Sequence, residues 1–177
     1  MKELIRKLKS TDFESVLRII NSAADAYRGI IPEDRWKEPY MPSEELIKEI
    51  DDGVEFYGWL ENGLLVAVMG IQQVNNVTLI RHAYVLQNLQ RRGIGKALLQ
   101  YLLGIARSSE VLVGTWEAAY WAVRFYEKNS FRLVSTNEKD RLLRKYWKIP
   151  ERQIETSVVL KLKRKGNLNG AVTAVGA

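Results

Sequence analysis

The sequence predicts an α/β fold built on a mixed, mostly antiparallel seven-stranded sheet flanked by helices. Three observations carry this. Residues 55–86 read as consecutive strands joined by short turns, helical stripes alternate with strands after residue 94, and seven separate segments carry strand character. At 177 residues, 46% hydrophobic and 27% charged, the chain is sized for one domain with a single sizeable core. Residues 1–165 are assigned to that domain. The remainder, 166–177, is small and polar with few large apolar groups and is read as a mobile tail.

Each element has a local reason. The alternating segment ELIRKLK opens the chain as a strand. The spacing of Thr11 and Glu14 predicts a capping box, in which a hydroxyl and a carboxylate satisfy free donors at a helix start. Phe13, Val16, Leu17, Ile20, Ala24 and Tyr27 then fall on one helical face, and Gly29 ends the pattern. The stretch GIIPEDRWKEPYMPSEEL holds three of the four prolines and reads as a loop or broken helix, followed by a helix capped by Ser43. EFYGWL, LLVAVMGIQQV and VTLIRHAYVL form an antiparallel meander, with turns at Glu61-Asn62-Gly63 and Asn75-Asn76.

Beyond the meander, Ile94, Ala97, Leu98, Tyr101, Leu102 and Ile105 mark a helix, VLVGTW a buried strand, and AAYWAVRFYEKNS another helix. This alternation suggests parallel crossovers. FRLVST reads as a strand, KDRLLRKYW as a short basic helix, and IETSVVLKLK as the last strand.

Composition excludes several chemistries. Without cysteine there is no disulfide framework, thiolate nucleophile or Cys-ligated zinc, and one histidine does not build a His-rich metal site, so no metal is expected. The longest apolar run, Leu64 to Ile71, falls far short of the roughly 20 residues of a membrane helix. The charged start MKELIRKLK has no signal-peptide core behind it, and a soluble, cytoplasmic protein is expected. The net charge of +6 suits an anionic partner, but the 27 basic and 21 acidic residues are mostly interspersed. Only Lys161, Lys163, Arg164 and Lys165 cluster, which reads as a solvated strand end, so nucleic acid is not the expected partner.

The most informative segment is VLQNLQRRGIGKALL, where a strand gives way to a helix around Gly93 and Gly95. A helix start offers unpaired N–H groups and a positive dipole end, and glycine lets the backbone approach an anion. Taken alone, the same glycines serve a tight turn equally well. Gln90 and Ala97 break a Walker pattern, and Leu98 stands where a dinucleotide fingerprint wants its third glycine.

In context, Gln90-Arg91-Arg92-Gly93-Ile94-Gly95 resembles the acetyl-CoA-binding motif Gln/Arg-x-x-Gly-x-Gly/Ala of the GCN5-related N-acetyltransferases. Downstream, Ala122-x-x-Phe125-Tyr126-Glu127-Lys128-x-x-Phe131 is similar to that family's second cofactor segment. The resemblance covers roughly residues 1–163. Ala119 replaces the family's usual Asn, Ser130 replaces the Gly before Phe131, and Gln87 replaces a common Pro.

The resemblance implies a splayed cofactor cleft between the fourth and fifth strands. Acetyl-CoA would then be held by Tyr84, Val85 and Leu86 along the pantetheine arm. Gln90, Arg91, Arg92, Gly93, Ile94, Gly95 and Lys96 would hold the pyrophosphate, with Ala122 and Tyr126 from the second motif. Tyr126 matches the family tyrosine near the CoA sulfur, and a phenol of pKa about 10 can protonate a basic thiolate. His82 lies on the strand where family members often carry a base, and an imidazole titrates near neutrality; Glu117, Glu33 and Glu155 compete for that role. Strand alternation places His82 and Tyr84 on one face and Arg81, Ala83 and Val85 on the other.

The acceptor pocket is expected from the loops around Ile31 to Pro42 and Arg141 to Arg152. There Trp36, Tyr40, Tyr146 and Trp147 offer an aromatic wall, and Glu33, Asp34 and Glu38 an attraction for cations. The expected activity is acetyl transfer to the primary amine of a small molecule in a ternary complex, with a homodimer suggested by the family. A peptide or protein N-acetyltransferase and a non-catalytic acyl-CoA-binding sensor are the alternatives.

Overall fold

Apolar periodicity places most strands and the long helices of the computed structural model, which describes residues 3–164; Thr136 of the expected strand FRLVST opens a helix, and the last strand begins at Ser157 and not at Ile154. Strands β1 (Glu3–Lys7), β2 (Glu55–Glu61), β3 (Leu64–Val74) and β4 (Val77–Val85) form an antiparallel half-sheet in sequence order. β5 (Glu110–Trp116), β6 (Arg132–Leu133) and β7 (Ser157–Lys163) complete a seven-stranded sheet of order β1-β2-β3-β4-β5-β7-β6. β5 pairs antiparallel with β7, and β7 with β6. The expected run of parallel crossovers therefore reduces to a single parallel contact, β4 with β5, and the strand expected over FRLVST is only two residues long.

The helices cover both faces. α3 (Ile94–Ile105) and α4 (Tyr120–Lys128) pack on one, through Leu98, Leu102 and Phe131 against Ile80, Val111 and Val113. α1 (Phe13–Ala24) and α2 (Ser43–Asp51) pack on the other, where Ile20 and Leu46 meet Phe56 and Val68. α5 (Thr136–Tyr146) and α6 (Glu151–Glu155) join them there over Leu79, Leu112 and Val159. Alternation along β5 sends Val111 and Val113 to the first face and Leu112 to the second, so the strand is buried on both sides. Among the described residues no helix is long and apolar enough to cross a membrane.

Two expected caps are not formed. A 3-10 turn at Ser10–Asp12 precedes α1, so Thr11 stands inside that turn, and the Asp12 carboxylate accepts from the Lys9 backbone N–H at 2.7 Å. Arg6 recruits that carboxylate with two donated bonds of 2.8 Å. Pro42 occupies the N-cap of α2, and Ser43 is its first helical residue. The tail expected over 166–177 lies outside the described residues.

Candidate active site

The parallel contact between β4 and β5 consists of Thr78, Leu79 and Ile80 opposite Val111, Leu112 and Val113. Beyond it the strands part, and the edge of β4 from Arg81 to Val85 runs unpaired with β5 while its other edge stays on β3. A cleft of about 950 Å³ opens there. Ile80, Ala83, Val113 and Tyr126 enter it from the α3 side, and His82, Tyr84 and Gly114 from the α2 and α5 side. The cleft thus passes through the gap and reaches both faces of the sheet.

A β-bulge sets the side chains of β4. Gly70 opposes Arg81 and Val68 opposes Tyr84, so Met69 alone faces two residues, and His82 takes φ 49°. The alternation expected from the sequence fails at this point. Arg81 turns to the same side as His82, and both reach Glu49 on α2, at 2.5 Å from Arg81 Nη2 and 3.0 Å from His82 Nε2. Arg81 also donates to Gln72 Oε1 at 2.8 Å. Gly70 permits the kink, since a Cβ there would stand 3.1 Å from the Arg81 carbonyl oxygen and 2.9 Å from Val54. Burial disfavours the Glu49 charge, but its hydrogen bonds with His82 and Arg81 and the Arg81 guanidinium charge outweigh it and hold the carboxyl below its usual range.

Tyrosines line the floor. The hydroxyls of Tyr27 and Tyr40 lie near that of Tyr84, and Trp116 Nε1 donates to Tyr40 Oη at 2.9 Å. Burial pushes the phenols of Tyr27, Tyr40 and Tyr84 up, with their neighbouring hydroxyls reinforcing it at Tyr84. Tyr126 is buried, and desolvation, with Tyr27 nearby, raises its phenol as well. Its backbone is fixed by a Schellman turn: Phe131 N–H donates to Tyr126 O and Ser130 N–H to Glu127 O, each at 3.1 Å. The Phe131 ring stands edge-on 5.5 Å from Tyr126. Ser130 adopts φ 71° to make this turn.

The glycine loop lies at the head of α3. Gly93 is its N-cap at φ 82°, Arg91 adopts φ 63°, and Ala97 N–H closes the first turn on Gly93 O. The amides of Ile94, Gly95 and Lys96 therefore point out of the helix end. Gly95 faces Phe125 and Val85, and Gln90 Nε2 donates to Val85 O at 3.2 Å, tying the loop to the open end of β4. Leu86 N–H donates to Val66 O. Arg91 and Lys96 flank the helix head, whereas Arg92 is paired with Glu61 at 3.0 Å.

Of the expected acceptor wall, Tyr40, Tyr146 and Trp147 line the cleft, Trp147 lying over Gly114, where a Cβ would be 3.5 Å from its ring. Tyr146 also donates to Asn76 Oδ1 at 3.1 Å. Trp36 does not line it; its ring backs Tyr40 at 5.7 Å with the Arg28 guanidinium 4.6 Å above it. Glu33, Glu117 and Glu155 lie on the surface outside the cleft, and Glu155 is paired with Arg152. Asp34 and Glu38 are tied to Arg152 and Arg28. Ala122 lines the cleft, and Ala119 is fully buried beneath it against Ile31 and Trp116. The sequence reading missed Glu49, Arg81 and Trp116, and took Tyr27 for part of a packing stripe. No motif marks these four; only the bulge and the helix packing bring them to the cleft.

Residues 13–131 match the sequence model of the acetyltransferase (GNAT) family. Among solved structures, a PaiA N-acetyltransferase of Thermoplasma acidophilum in complex with coenzyme A is similar at TM-score 0.70 and 21% identity, over 92% of this chain and 99% of that one. A GNAT-family acetyltransferase of Staphylococcus aureus gives 0.71 at 18% identity over 93% and 100%. The ribosomal-protein-S18-alanine N-acetyltransferase of Escherichia coli gives 0.67 at 16% over 96% and 99%.

Proposed function

Because this chain belongs to the acetyltransferase (GNAT) family, we propose that it transfers an acetyl group from acetyl-CoA to the primary amine of a small molecule, directly, in a ternary complex. The supporting observation is the single cleft lined from both faces of the sheet. The head of α3 lies at the open end of β4, outside the lining of the cleft, and the aromatic loops line the cleft itself, so a cosubstrate reaching in along β4 would meet an acceptor between β4 and β5.

The residues suit such a cosubstrate. The unpaired edge of β4 through Tyr84 and Val85 presents main-chain groups to an extended, amide-bearing arm, with Leu86 at its end. The amides of Gly93 to Lys96, with Arg91 and Lys96, receive a pyrophosphate, and Gln90 braces the loop. Arg92, held by Glu61, adds its charge from further out. Ala122 leaves room beside Tyr126. Acetyl-CoA, when bound, supplies the activated thioester and the thiolate leaving group.

His82 is the base that removes the amine proton. With Nε2–H donated to Glu49, its Nδ1 carries the free lone pair, and Arg81 holds Glu49 in place. Tyr126, its phenol held neutral by burial, keeps a proton for the departing sulfur. Tyr40 and Trp147 flank the acceptor, with Trp36 supporting Tyr40 from behind. A cytoplasmic location and a homodimer belong to the same reading.

The test is thiol release from acetyl-CoA against a panel of small amines and peptides, with CoA binding measured by calorimetry on the same sample. The reading requires CoA binding and turnover of a small amine. Turnover of peptides alone replaces the acceptor class, CoA binding without turnover makes the protein an acyl-CoA-binding module, and absence of CoA binding overturns the proposal.

A further inference from the structure

The loop from Ile31 to Pro42 lines the cleft through Arg35, Lys37, Tyr40 and Met41 and is tied to the rest of the fold by several hydrogen bonds. Asn21 exchanges two hydrogen bonds with the Met41 backbone, at 2.7 and 2.9 Å. Arg152 donates to Asp34 at 3.0 Å and Arg28 to Glu38 at 2.8 Å. Side chains on this loop are therefore placed before any ligand arrives.

Three of the lysines and arginines lining the cleft are matched. Lys37 is paired with Glu45, Arg81 with Glu49, and Lys148 with Asp52. Arg35 is different. It lines the cleft at the end of the 3-10 turn Glu33–Arg35, its Nε is buried with no hydrogen-bond partner, and no acidic side chain pairs with it among the described residues. Tyr40, on the same loop and in the same cleft, accepts from Trp116 Nε1 at the end of β5.

A buried guanidinium Nε–H without a partner costs free energy unless a ligand supplies an acceptor. Nε and one Nη of an arginine form a planar fork that matches the two oxygens of a carboxylate. We propose that Arg35 anchors a carboxylate carried by the same molecule as the acceptor amine, which makes the acceptor an amino acid or a close relative. This rests on the N-acetyltransferase reading. The aromatic walls of Tyr40 and Trp147 suit an apolar or aromatic body between the two charged ends. A polyamine brings a second cation to Arg35 in place of the missing anion and is disfavoured.

The experiment compares amines with and without the carboxylate: L-phenylalanine against phenethylamine and L-lysine against cadaverine, with spermidine added. The proposal expects the carboxylate-bearing member of a pair to have the higher kcat/KM by about tenfold to a hundredfold. Arg35→Gln collapses that ratio toward unity mainly through KM, and Arg35→Lys restores part of it. Binding of N-acetyl-L-phenylalanine and N-acetylphenethylamine to the CoA-loaded protein, by calorimetry, asks the same question without turnover. Preference for spermidine, a ratio unchanged in Arg35→Gln, or no preference between the two acetylated probes overturns the assignment of Arg35. CoA calorimetry on the wild-type protein separates that failure from failure of the acetyltransferase reading, which alone abolishes CoA binding.

Discussion

Oε2 of Glu49 lies 3.0 Å from Nε2 of His82 and so joins helix α2 to the bulge of β4. The pair has the geometry of a base with its orienting carboxylate, and Arg81 keeps that carboxylate ionised and aimed. Glu49→Gln keeps the shape and removes the charge. It is expected to lower kcat for amine acetylation by about tenfold to a hundredfold, with a smaller change in KM. His82→Ala is expected to remove the acidic limb of the pH–rate profile. Steady-state rates between pH 5 and 9 check both, and a wild-type profile in His82→Ala rejects the assignment.

Tyr126 combines burial with a place in the cleft, which suits a proton donor. Tyr126→Phe keeps the ring against Phe125 and Phe131, so the fold and CoA affinity are expected to persist while kcat falls about a hundredfold. Calorimetry with CoA beside stopped-flow thiol release makes the comparison. An unchanged rate assigns Tyr126 to packing alone.

Ser130 holds φ 71° to complete the turn that positions Tyr126, a conformation disfavoured for a residue with a Cβ. Ser130→Gly relieves it, offset in part by the greater freedom of glycine in the unfolded chain. A gain of about 0.5–1 kcal/mol is expected, visible as a Tm higher by about 2–3 °C. Thermal melts of the two proteins decide it.

Asp12 is held down to about 2, first by its hydrogen bonds from Arg6 and further by the Lys9 N–H, against the opposing effect of burial. A carboxyl depressed in the folded state stabilises it above the unfolded value near 3.9, and that stabilisation fades as pH falls toward 2. With both partners partly solvated, the contribution at neutral pH is about 1 kcal/mol. Asp12→Asn is expected to lower the urea midpoint at pH 6 and to differ little from wild type at pH 2. An equal deficit at both pH values contradicts the linkage.

The legibility of this chain follows the range of the forces involved. Strand and helix periodicity is local, and so the seven strands, the glycine-started helix after Gln90 and the helix carrying Tyr126 were readable from residue types alone. The cap of α1 was not, because Arg6 on another strand competes for Asp12 and a 3-10 turn takes up Thr11. The facing of Arg81 was also hidden. Alternation is a two-residue rule, and one extra residue at His82 breaks it without any glycine or proline in β4 to announce the bulge. Glu49 reads as one acid among several on a charged helix, and only the packing of α2 over β4 brings it to the imidazole.

The three-pair contact between β4 and β5 is also the seam that joins the two halves of the sheet. On one side four strands hang together as a meander; on the other, β5, β7 and β6 form a second sheet fragment with its own pairing. A molecule lodged in the gap touches both fragments and acts as a rivet between them, adding bonds across a line where the backbone supplies three pairs. Occupancy of the cleft is therefore expected to couple to the mechanical unity of the whole sheet, holding its two halves together.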